Sequence, residues 1–236
     1  MIDCYRRVYP RLPSPRVLRL LLVRHGQSEW NAEGRWQGRA NPPLSELGRL
    51  QARHAAGALG AMAAVYSSTL ERAAATAELL AAELGIGPVI AMPGLVERDA
   101  GAWSGLTREE IDRDFPGYLH EDRRPPGWED DDSLLARAAD SLVRVVDAHR
   151  FDDGADIVVV THGGLIYAIE DTLGGGRVRM GNLDGRWLEV DPELALATGI
   201  DGVDGTEGVD RFARGWRLGE RLRLLDHDEL TIPDQI

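Results

Sequence analysis

Two short apolar runs constrain the fold of this chain more than any other feature. Residues 17–23 read VLRLLLV and residues 157–160 read IVVV, with almost no alternation between apolar and polar positions. Runs of this kind are typical of strands that are buried on both faces, as in a parallel sheet covered by helices. We therefore expect both runs to be strands of an α/β fold.

Shorter strand patterns and helical patterns alternate along the rest of the chain. We expect further strands at 63–66, 89–92, 186–190 and 216–225. We expect helices at about 45–59, 69–84, 107–114, 133–149 and 165–173. Helices that alternate with strands predict a largely parallel central sheet with helices on both faces.

The length of the sequence and the positions of its prolines and glycines predict one domain with a small insertion. The 236 residues contain no internal repeat and no linker-like segment, and this length suits a single domain with a sizeable core. We expect an N-terminal arm at 1–15 and one domain at 16–236. Three prolines, two glycines and an acidic run at about 115–132 predict a loop or small lid that caps the site.

Composition excludes several classes of protein. Every basic residue is arginine, so no enzyme that needs a Schiff-base lysine or a P-loop lysine can be built from this sequence. The net charge of −12 argues against general binding to nucleic acid or to an anionic membrane. Cys4 is the single cysteine, and no apolar run approaches the length of about 20 residues that a membrane span requires. We expect a cytoplasmic protein and leave open whether it forms a homodimer.

The residues that carry chemistry follow the two apolar runs directly. RHG at 24–26 comes after the first run, and THGG at 161–164 comes after the second. Ligands of open parallel sheets bind beyond the carboxyl ends of the strands, so His25 and His162 would share one rim if their strands are neighbours. The glycines permit close approach of a ligand to the backbone, and the helix that follows offers free N–H groups to an anion.

A third strand-to-helix junction, YSSTLER at 66–72, adds Arg72 to this rim. The guanidinium groups of Arg24 and Arg72 match phosphate oxygens, and a neutral imidazole is a good nucleophile toward phosphorus. The leaving oxygen then needs a proton, for which Glu97 and the nearby Asp99 are candidates. Each histidine taken alone would suit a hydrogen-bonded core position, but the combination predicts a phosphoryl-transfer site. A metal site is the alternative, which the two adjacent cations disfavour.

These segments resemble the histidine phosphatase superfamily, the phosphoglycerate mutase-like proteins. The resemblance spans about residues 20–190 and rests on ordered segments that are specific in combination: LVRHGQSEWN at 22–31, WQG at 36–38, PLSELG at 43–48, YSS at 66–68 with Arg72, LVE at 95–97, GAWSGLT at 101–107 and THGG at 161–164. Asn182 lies where the family often places an asparagine. The chain departs from the family pattern at Asn41, where aspartate is common, and at WED 128–130, where Gly-Glu-Ser is usual.

The resemblance implies a role for each matching residue. His25 would be the nucleophile that forms a phosphohistidine, and Glu97 would protonate the leaving group and then activate water. Three side chains would bind the phosphoryl oxygens: Arg24, Arg72 and His162. Four further positions would contact phosphate or substrate: Asn31, Gln37, Gly38 and Gly163. The resemblance implies neither a metal ion nor a cofactor.

Three functions remain open at this point. The segment after Glu97 resembles the phosphatase branch and favours hydrolysis of a small phosphomonoester. A cofactor-dependent phosphoglycerate mutase, an isomerase, is the alternative, favoured by SEWN at 28–31 and by the paired arginines at 123–124. A non-catalytic phosphate-binding domain is the third, although it would be expected to lack His25 or Glu97. In each case the expected partner is a small phosphorylated metabolite.

Overall fold

One six-stranded sheet forms the centre of the protein. The computed structural model describes residues 17–152, 154, 156–176, 178–197, 208–212 and 214–225, so the predicted arm at 1–15 lies outside the described residues. The strands are β1 (Leu18–Arg24), β2 (Ala64–Ser68), β3 (Ile90–Met92), β4 (Asp156–Thr161), β5 (Asp184–Val190) and β6 (Trp216–Arg223). Their order across the sheet is β3-β2-β4-β1-β5-β6.

The two long apolar runs are neighbours in this sheet. β1 and β4 pair in parallel with Arg24 opposite Thr161, and β2 and β3 continue the parallel part beyond β4. β5 runs antiparallel to β1, and β6 runs antiparallel to β5. Residues 178–183 lie at the carboxyl ends of the parallel strands, where Met180 and Leu183 contact Arg24. β5 therefore begins at that end of the sheet and runs antiparallel to β1. The predicted largely parallel sheet is confirmed, with an antiparallel pair of strands at one side.

Helices cover both faces of the sheet, as predicted. They are α1 (Glu29–Ala32), α2 (Glu46–Ala56), α3 (Glu71–Leu84), α4 (Arg108–Asp114), α5 (Asp131–His149), α6 (Gly163–Thr172) and α7 (Pro192–Leu196), with short 3-10 turns at Pro93–Leu95, Gly101–Trp103 and Gly208–Phe212. Among the described residues, no helix has the length and apolar character needed to cross a membrane.

Alternate residues of β1 face two different layers of helices. Leu20 and Leu22 pack in a core with α5 and α6, whereas Leu21 and Val23 pack in a second core with α2 and α3. All four side chains are fully buried. Burial on both faces is the physical reason for the continuous apolar run in the sequence.

The acidic run at 129–132 does not belong wholly to the predicted lid. Asp130 is the N-cap of α5, and its Oδ1 accepts a hydrogen bond of 2.7 Å from the backbone N–H of Ser133. Asp131 and Asp132 then occupy the first helical turn, where the helix dipole favours negative charge. The predicted end of the lid at 132 and the predicted start of the helix at 133 are therefore wrong by about two residues.

Gly48 allows α2 to contact the loop that follows β1. A Cβ atom at this position would lie 2.0 Å from the carbonyl oxygen of Gln27. We expect Gly48→Ala to lower the free energy of unfolding by at least about 1–3 kcal/mol, because a backbone atom cannot rotate away as a side chain can. Urea denaturation measures the change. The matched control is Gly57→Ala at the end of α2, where φ is −66° and the nearest atom would lie 3.4 Å away. Similar losses at both positions would contradict the steric explanation.

Candidate active site

The pairing of β1 with β4 places His25 and His162 side by side at the carboxyl rim. Their ring centroids are 5.2 Å apart, with an angle of 61° between the ring planes. Both side chains are buried, and the backbone N–H of His25 donates to the carbonyl of Thr161 over 3.0 Å. The structure thus brings together the two histidines that the sequence singled out.

Hydrogen bonds of His25 define which ring nitrogen faces the site. Its Nδ1 lies 2.7 Å from the carbonyl oxygen of Gly26, which can only accept, so Nδ1 carries the proton of the neutral ring. Nε2 then holds a lone pair, toward which Arg72 Nε–H points from 3.2 Å. Asn182 Nδ2 donates to the His25 carbonyl over 2.9 Å and holds the backbone of this loop.

His162 is oriented by a serine on the neighbouring strand. Its Nε2 lies 2.8 Å from Ser68 Oγ, and the same oxygen accepts the backbone N–H of Leu70 over 3.2 Å. The serine proton can therefore be donated to Nε2, which leaves the ring proton of a neutral His162 on Nδ1. That nitrogen is buried and has no hydrogen-bond partner among the described residues, so it can serve as a donor to a bound anion. Ser68 belongs to the YSS segment at 66–68, but no local pattern of residues distinguishes it from Ser67.

Arg72 is the most deeply buried cation of the site. Its side chain is fully buried, and it donates from Nη1 to the Ala40 carbonyl over 2.7 Å and from Nη2 to the Gly38 carbonyl over 2.9 Å. Burial lowers the pKa of Arg72 to about 10, with Glu97 acting to raise it and Arg24 to lower it. The guanidinium therefore remains charged at neutral pH.

Arg24 provides the second cation beside the histidines. Its Nη1 donates to the carbonyl of Met180 over 2.5 Å, which ties β1 to the returning segment at 178–183. Burial lowers the pKa of Arg24, while Tyr167 and Glu97 act to raise it. A Cβ atom at Gly163 would lie 3.6 Å from Nε of Arg24. This glycine is the first residue of α6, so Arg24 lies close to the N-terminus of that helix.

Glu97 contributes its carboxylate from the segment that follows the 3-10 turn at Pro93–Leu95. Its Oε2 accepts the backbone N–H of Gly164 over 3.0 Å, and its Oε1 accepts the N–H of Arg98 over 2.7 Å. A Cβ atom at Gly164 would lie 2.6 Å from Oε1, so a larger residue there would displace the carboxylate. Of the two candidate carboxylates, Glu97 lines the cavity, whereas Asp99 accepts the N–H of Gly101 and lies outside the lining.

The remaining predicted residues, Asn31, Gln37 and Gly38, lie in the segment that follows β1. Asn31 Oδ1 accepts the N–H of Ser28 over 3.2 Å and the Nδ2–H of Asn182 over 3.3 Å. Gln37 Oε1 accepts the Ser28 hydroxyl over 2.8 Å. Gly38 has φ +50°, and a Cβ atom there would lie 2.7 Å from the backbone nitrogen of Ala100. These residues line the same cavity as His25, Arg24 and Arg72.

The site opens into a cavity of about 900 Å³. Trp36 and Trp128 form part of its wall and pack on Trp103, with ring centroids 5.2 and 5.6 Å from that fully buried ring. The predicted lid contributes Trp128 together with Asp122 and Arg124, and the Arg124 guanidinium lies 5.1 Å from the Trp128 ring. Besides Arg24 and Arg72, four arginines line the cavity: Arg35, Arg98, Arg124 and Arg179. Within the part of the chain that the structure describes, no cluster of three His, Cys, Asp or Glu side chains is placed to hold a metal ion.

Residues 20–183 match the family model described as histidine phosphatase superfamily, branch 1. This chain belongs to the histidine phosphatase superfamily. A relative named metal-independent phosphoserine phosphatase, from Arabidopsis thaliana, is 37% identical over 163 residues, which cover 65% of this chain and 67% of that protein. A relative named glucosyl-3-phosphoglycerate phosphatase, from Mycolicibacterium vanbaalenii, is 37% identical over 227 residues, which cover 86% and 93%.

A solved structure shares the fold of this member of the superfamily. The mycobacterial glucosyl-3-phosphoglycerate phosphatase superposes with a TM-score of 0.69 at 30% identity, over 86% of this chain and 97% of that one. Mycobacterial relatives that are 42% identical match over 41% of their own length, so this chain spans less than half of them. The superfamily match and these phosphatase relatives support a phosphatase of the histidine type.

Electrostatics at the site keep both imidazoles neutral. Burial lowers the pKa of His25 well below 6.5, and the charges of Arg72 and Arg24 lower it further. Burial and Arg72 likewise lower the pKa of His162 well below 6.5. A neutral imidazole keeps a lone pair and can act as a nucleophile, which a protonated imidazole cannot.

We expect nitrogen-15 NMR spectra to show both rings neutral at about pH 5.5, where a histidine of ordinary pKa is mostly charged. The unfolded chain takes up these protons below pH 6.5 while the native chain does not. The free energy of unfolding should therefore be largest above pH 6.5 and fall as the pH is lowered. His25→Asn and His162→Asn assign the signals and should each flatten this pH dependence. Titration of either ring near pH 6.5 would contradict the prediction.

Proposed function

We propose that this protein hydrolyses a small phosphomonoester, without a metal ion, through a phosphohistidine on His25. The observation that carries the proposal is the orientation of the buried His25 ring. Its Nδ1 lies against the Gly26 carbonyl, so its Nε2 holds the lone pair, and this nitrogen lies 3.2 Å from Nε of Arg72. The cavity that His25 lines also contains Arg24 and Glu97. A nucleophile, two cations and a proton donor are thus within one site, which is what phosphoryl transfer requires.

In the first step, the phosphoryl oxygens are held by Arg24, Arg72 and the Nδ1–H of His162. The Nε2 lone pair of His25 attacks phosphorus, so the N–P bond forms while the ester P–O bond breaks. The leaving oxygen takes a proton from the carboxylic acid of Glu97. Donors arranged before the substrate arrives stabilise the charge that builds up on the phosphoryl oxygens.

In the second step, the Glu97 carboxylate takes a proton from water. The water oxygen attacks phosphorus, the N–P bond breaks, and inorganic phosphate leaves. His25 recovers its lone pair and Glu97 its proton, so each turnover consumes one molecule of water. The lowered pKa of His25 keeps the freed imidazole neutral for the next cycle.

The cavity supports a substrate with a large polar leaving group. Its volume of about 900 Å³ exceeds what a phosphate ion needs, and pockets of this size bind ligands of the size of drugs and cofactors. Tryptophan walls and a mixture of arginine and aspartate side chains suit a phosphorylated sugar or sugar acid. The names of the relatives, phosphoserine phosphatase and glucosyl-3-phosphoglycerate phosphatase, add two specific compounds to be tried.

A mutase remains the second candidate because Arg124, one of the paired lid arginines, lines the cavity. Its neighbour Arg123 does not. The guanidinium of Arg123 lies 4.2 Å from the Tyr118 ring and forms an ion pair with Glu121 over 2.8 Å. Since only one of the pair reaches the cavity, this observation favours the phosphatase.

Phosphate release from sugar phosphates, phosphoserine, glucosyl-3-phosphoglycerate, nucleotides and phosphoglycerates, measured with EDTA present, tests the proposal. Release from at least one of them is the expected result. If none releases phosphate, but 3-phosphoglycerate is converted to 2-phosphoglycerate once bisphosphoglycerate is added, the protein is a mutase and the proposal is wrong.

His25→Ala should abolish turnover, with a loss of at least about 10³-fold in kcat, because no other group can form the covalent intermediate. Mass spectrometry of the natural protein mixed with substrate and denatured in alkali should find a phosphoryl group on His25. The control is His54→Ala, an exposed histidine of α2, which should leave activity unchanged. Activity of the His25 variant close to that of the natural protein would rule out the mechanism.

Glu97→Gln should slow the cleavage of alkyl phosphates far more than the cleavage of aryl phosphates. Protonation of a poor leaving oxygen contributes about 10²–10⁴-fold, whereas a nitrophenolate leaves without a proton. The comparison uses kcat/KM, because this quantity reports cleavage of the ester bond and excludes the later hydrolysis of phosphohistidine. Equal losses on the two substrates would mean that Glu97 is not the acid.

A further inference from the structure

Arg137 on α5 contacts the backbone of the segment that carries Glu97. Its Nη1 donates to the carbonyls of Gly94 over 2.8 Å and Val96 over 2.6 Å. Its Nη2 donates to the carbonyl of Glu97 itself over 3.0 Å. One guanidinium thus holds three carbonyls within four consecutive residues.

Glu129 fixes this arginine from the other side. Its Oε1 accepts Arg137 Nε–H over 2.8 Å and its Oε2 accepts Nη2–H over 2.7 Å, a bidentate pair. The side chains are 19% and 9% exposed, so the pair is largely shielded from water. Glu129 Oε2 also accepts the backbone N–H of Asp99 over 3.1 Å. The Arg137–Glu129 pair therefore holds the chain both before and after the Glu97 side chain.

The packing of α5 on this segment leaves little freedom for movement. A Cβ atom at Gly94 would lie 2.3 Å from the Arg137 carbonyl and 2.2 Å from Ser141 Oγ. The helix and the segment are therefore in direct backbone contact. This contact explains how one arginine side chain can reach three neighbouring carbonyls.

The position of the Glu97 carboxylate follows the position of its backbone. Both of its oxygens accept backbone N–H groups, from Arg98 in the same segment and from Gly164 at the start of α6. A shift of the segment would change the distance from the carboxylate to α6 and to His25. A displacement of about 1 Å can reduce catalysis by about 10²-fold.

We propose that Arg137, held by Glu129, is a positioning residue that sets the location of Glu97 for proton transfer. The inference rests on the proposed function, in which Glu97 is the general acid. Arg137 does not itself line the cavity, and its contacts with the segment at 94–97 are to the backbone, so it acts through that segment. Replacement of Arg137 should therefore lower activity on the same substrates that depend on proton transfer from Glu97.

Arg137→Lys and Arg137→Gln test the proposal through the dependence on the leaving group. Lysine keeps the charge but cannot make the forked contacts, so both variants should lower kcat/KM for alkyl phosphates by about 10²-fold. For nitrophenyl phosphate, whose leaving group needs no acid, kcat/KM should fall much less. Glu129→Gln, which keeps the shape but weakens the pair, should show the same selectivity to a smaller degree.

A double variant separates positioning from a general loss of structure. If Arg137 acts through Glu97, Glu97→Gln with Arg137→Lys should lose no more on alkyl phosphates than Glu97→Gln alone. The matched control is Arg144→Gln, an exposed arginine of the same helix, which should leave both substrates unaffected. Urea denaturation of every variant identifies any that is not folded under the assay conditions.

Equal losses on the two substrates, or additive losses in the double variant, would overturn the role of Arg137. Wild-type kcat/KM in the Arg137 variants would overturn it as well. Failure of the proposed function looks different, because the natural protein itself would then release no phosphate from any phosphomonoester.

Discussion

The site depends on the parallel pairing of β1 with β4. Because Arg24 lies opposite Thr161 at the ends of these strands, the residues that follow them, His25 and His162, emerge together at one rim. A slip of one residue would turn the side chains of one strand to the opposite face of the sheet. The register is held because both strands are packed by helices on both faces, so any slip would displace a complete set of buried side chains.

The site concentrates positive charge in a place from which water is largely excluded. Arg72 is fully buried, and its charge is balanced by backbone carbonyls at positions 38 and 40 and by the nearby Glu97. The same charge helps to keep His25 and His162 neutral. A phosphate dianion is the kind of ligand that such a space favours, because donors and cations are already directed toward it.

Much of the fold could be predicted from local pattern. The apolar run of β1 indicated burial on both faces, and the glycines after His25 and His162 indicated close approach at the ends of two strands. The start of α5 was predicted too late because Asp130 was assigned to a loop, although aspartate is a common N-cap. The short helix α1 was missed, since four residues are too few to show a helical period.

By itself, the sequence determined which residue types stand at the ends of which strands, since strands, turns and caps are specified by neighbours in the chain. Only the tertiary structure decided which of those residues meet. It placed the Glu97 side chain in the cavity and Asp99 outside its lining, Ser68 against His162, and Arg137 against the segment that carries Glu97. The partners in these last two contacts are 94 and about 40 residues apart in the chain. Contacts at such separations follow from the packing of whole helices and strands, which no local pattern of residues encodes.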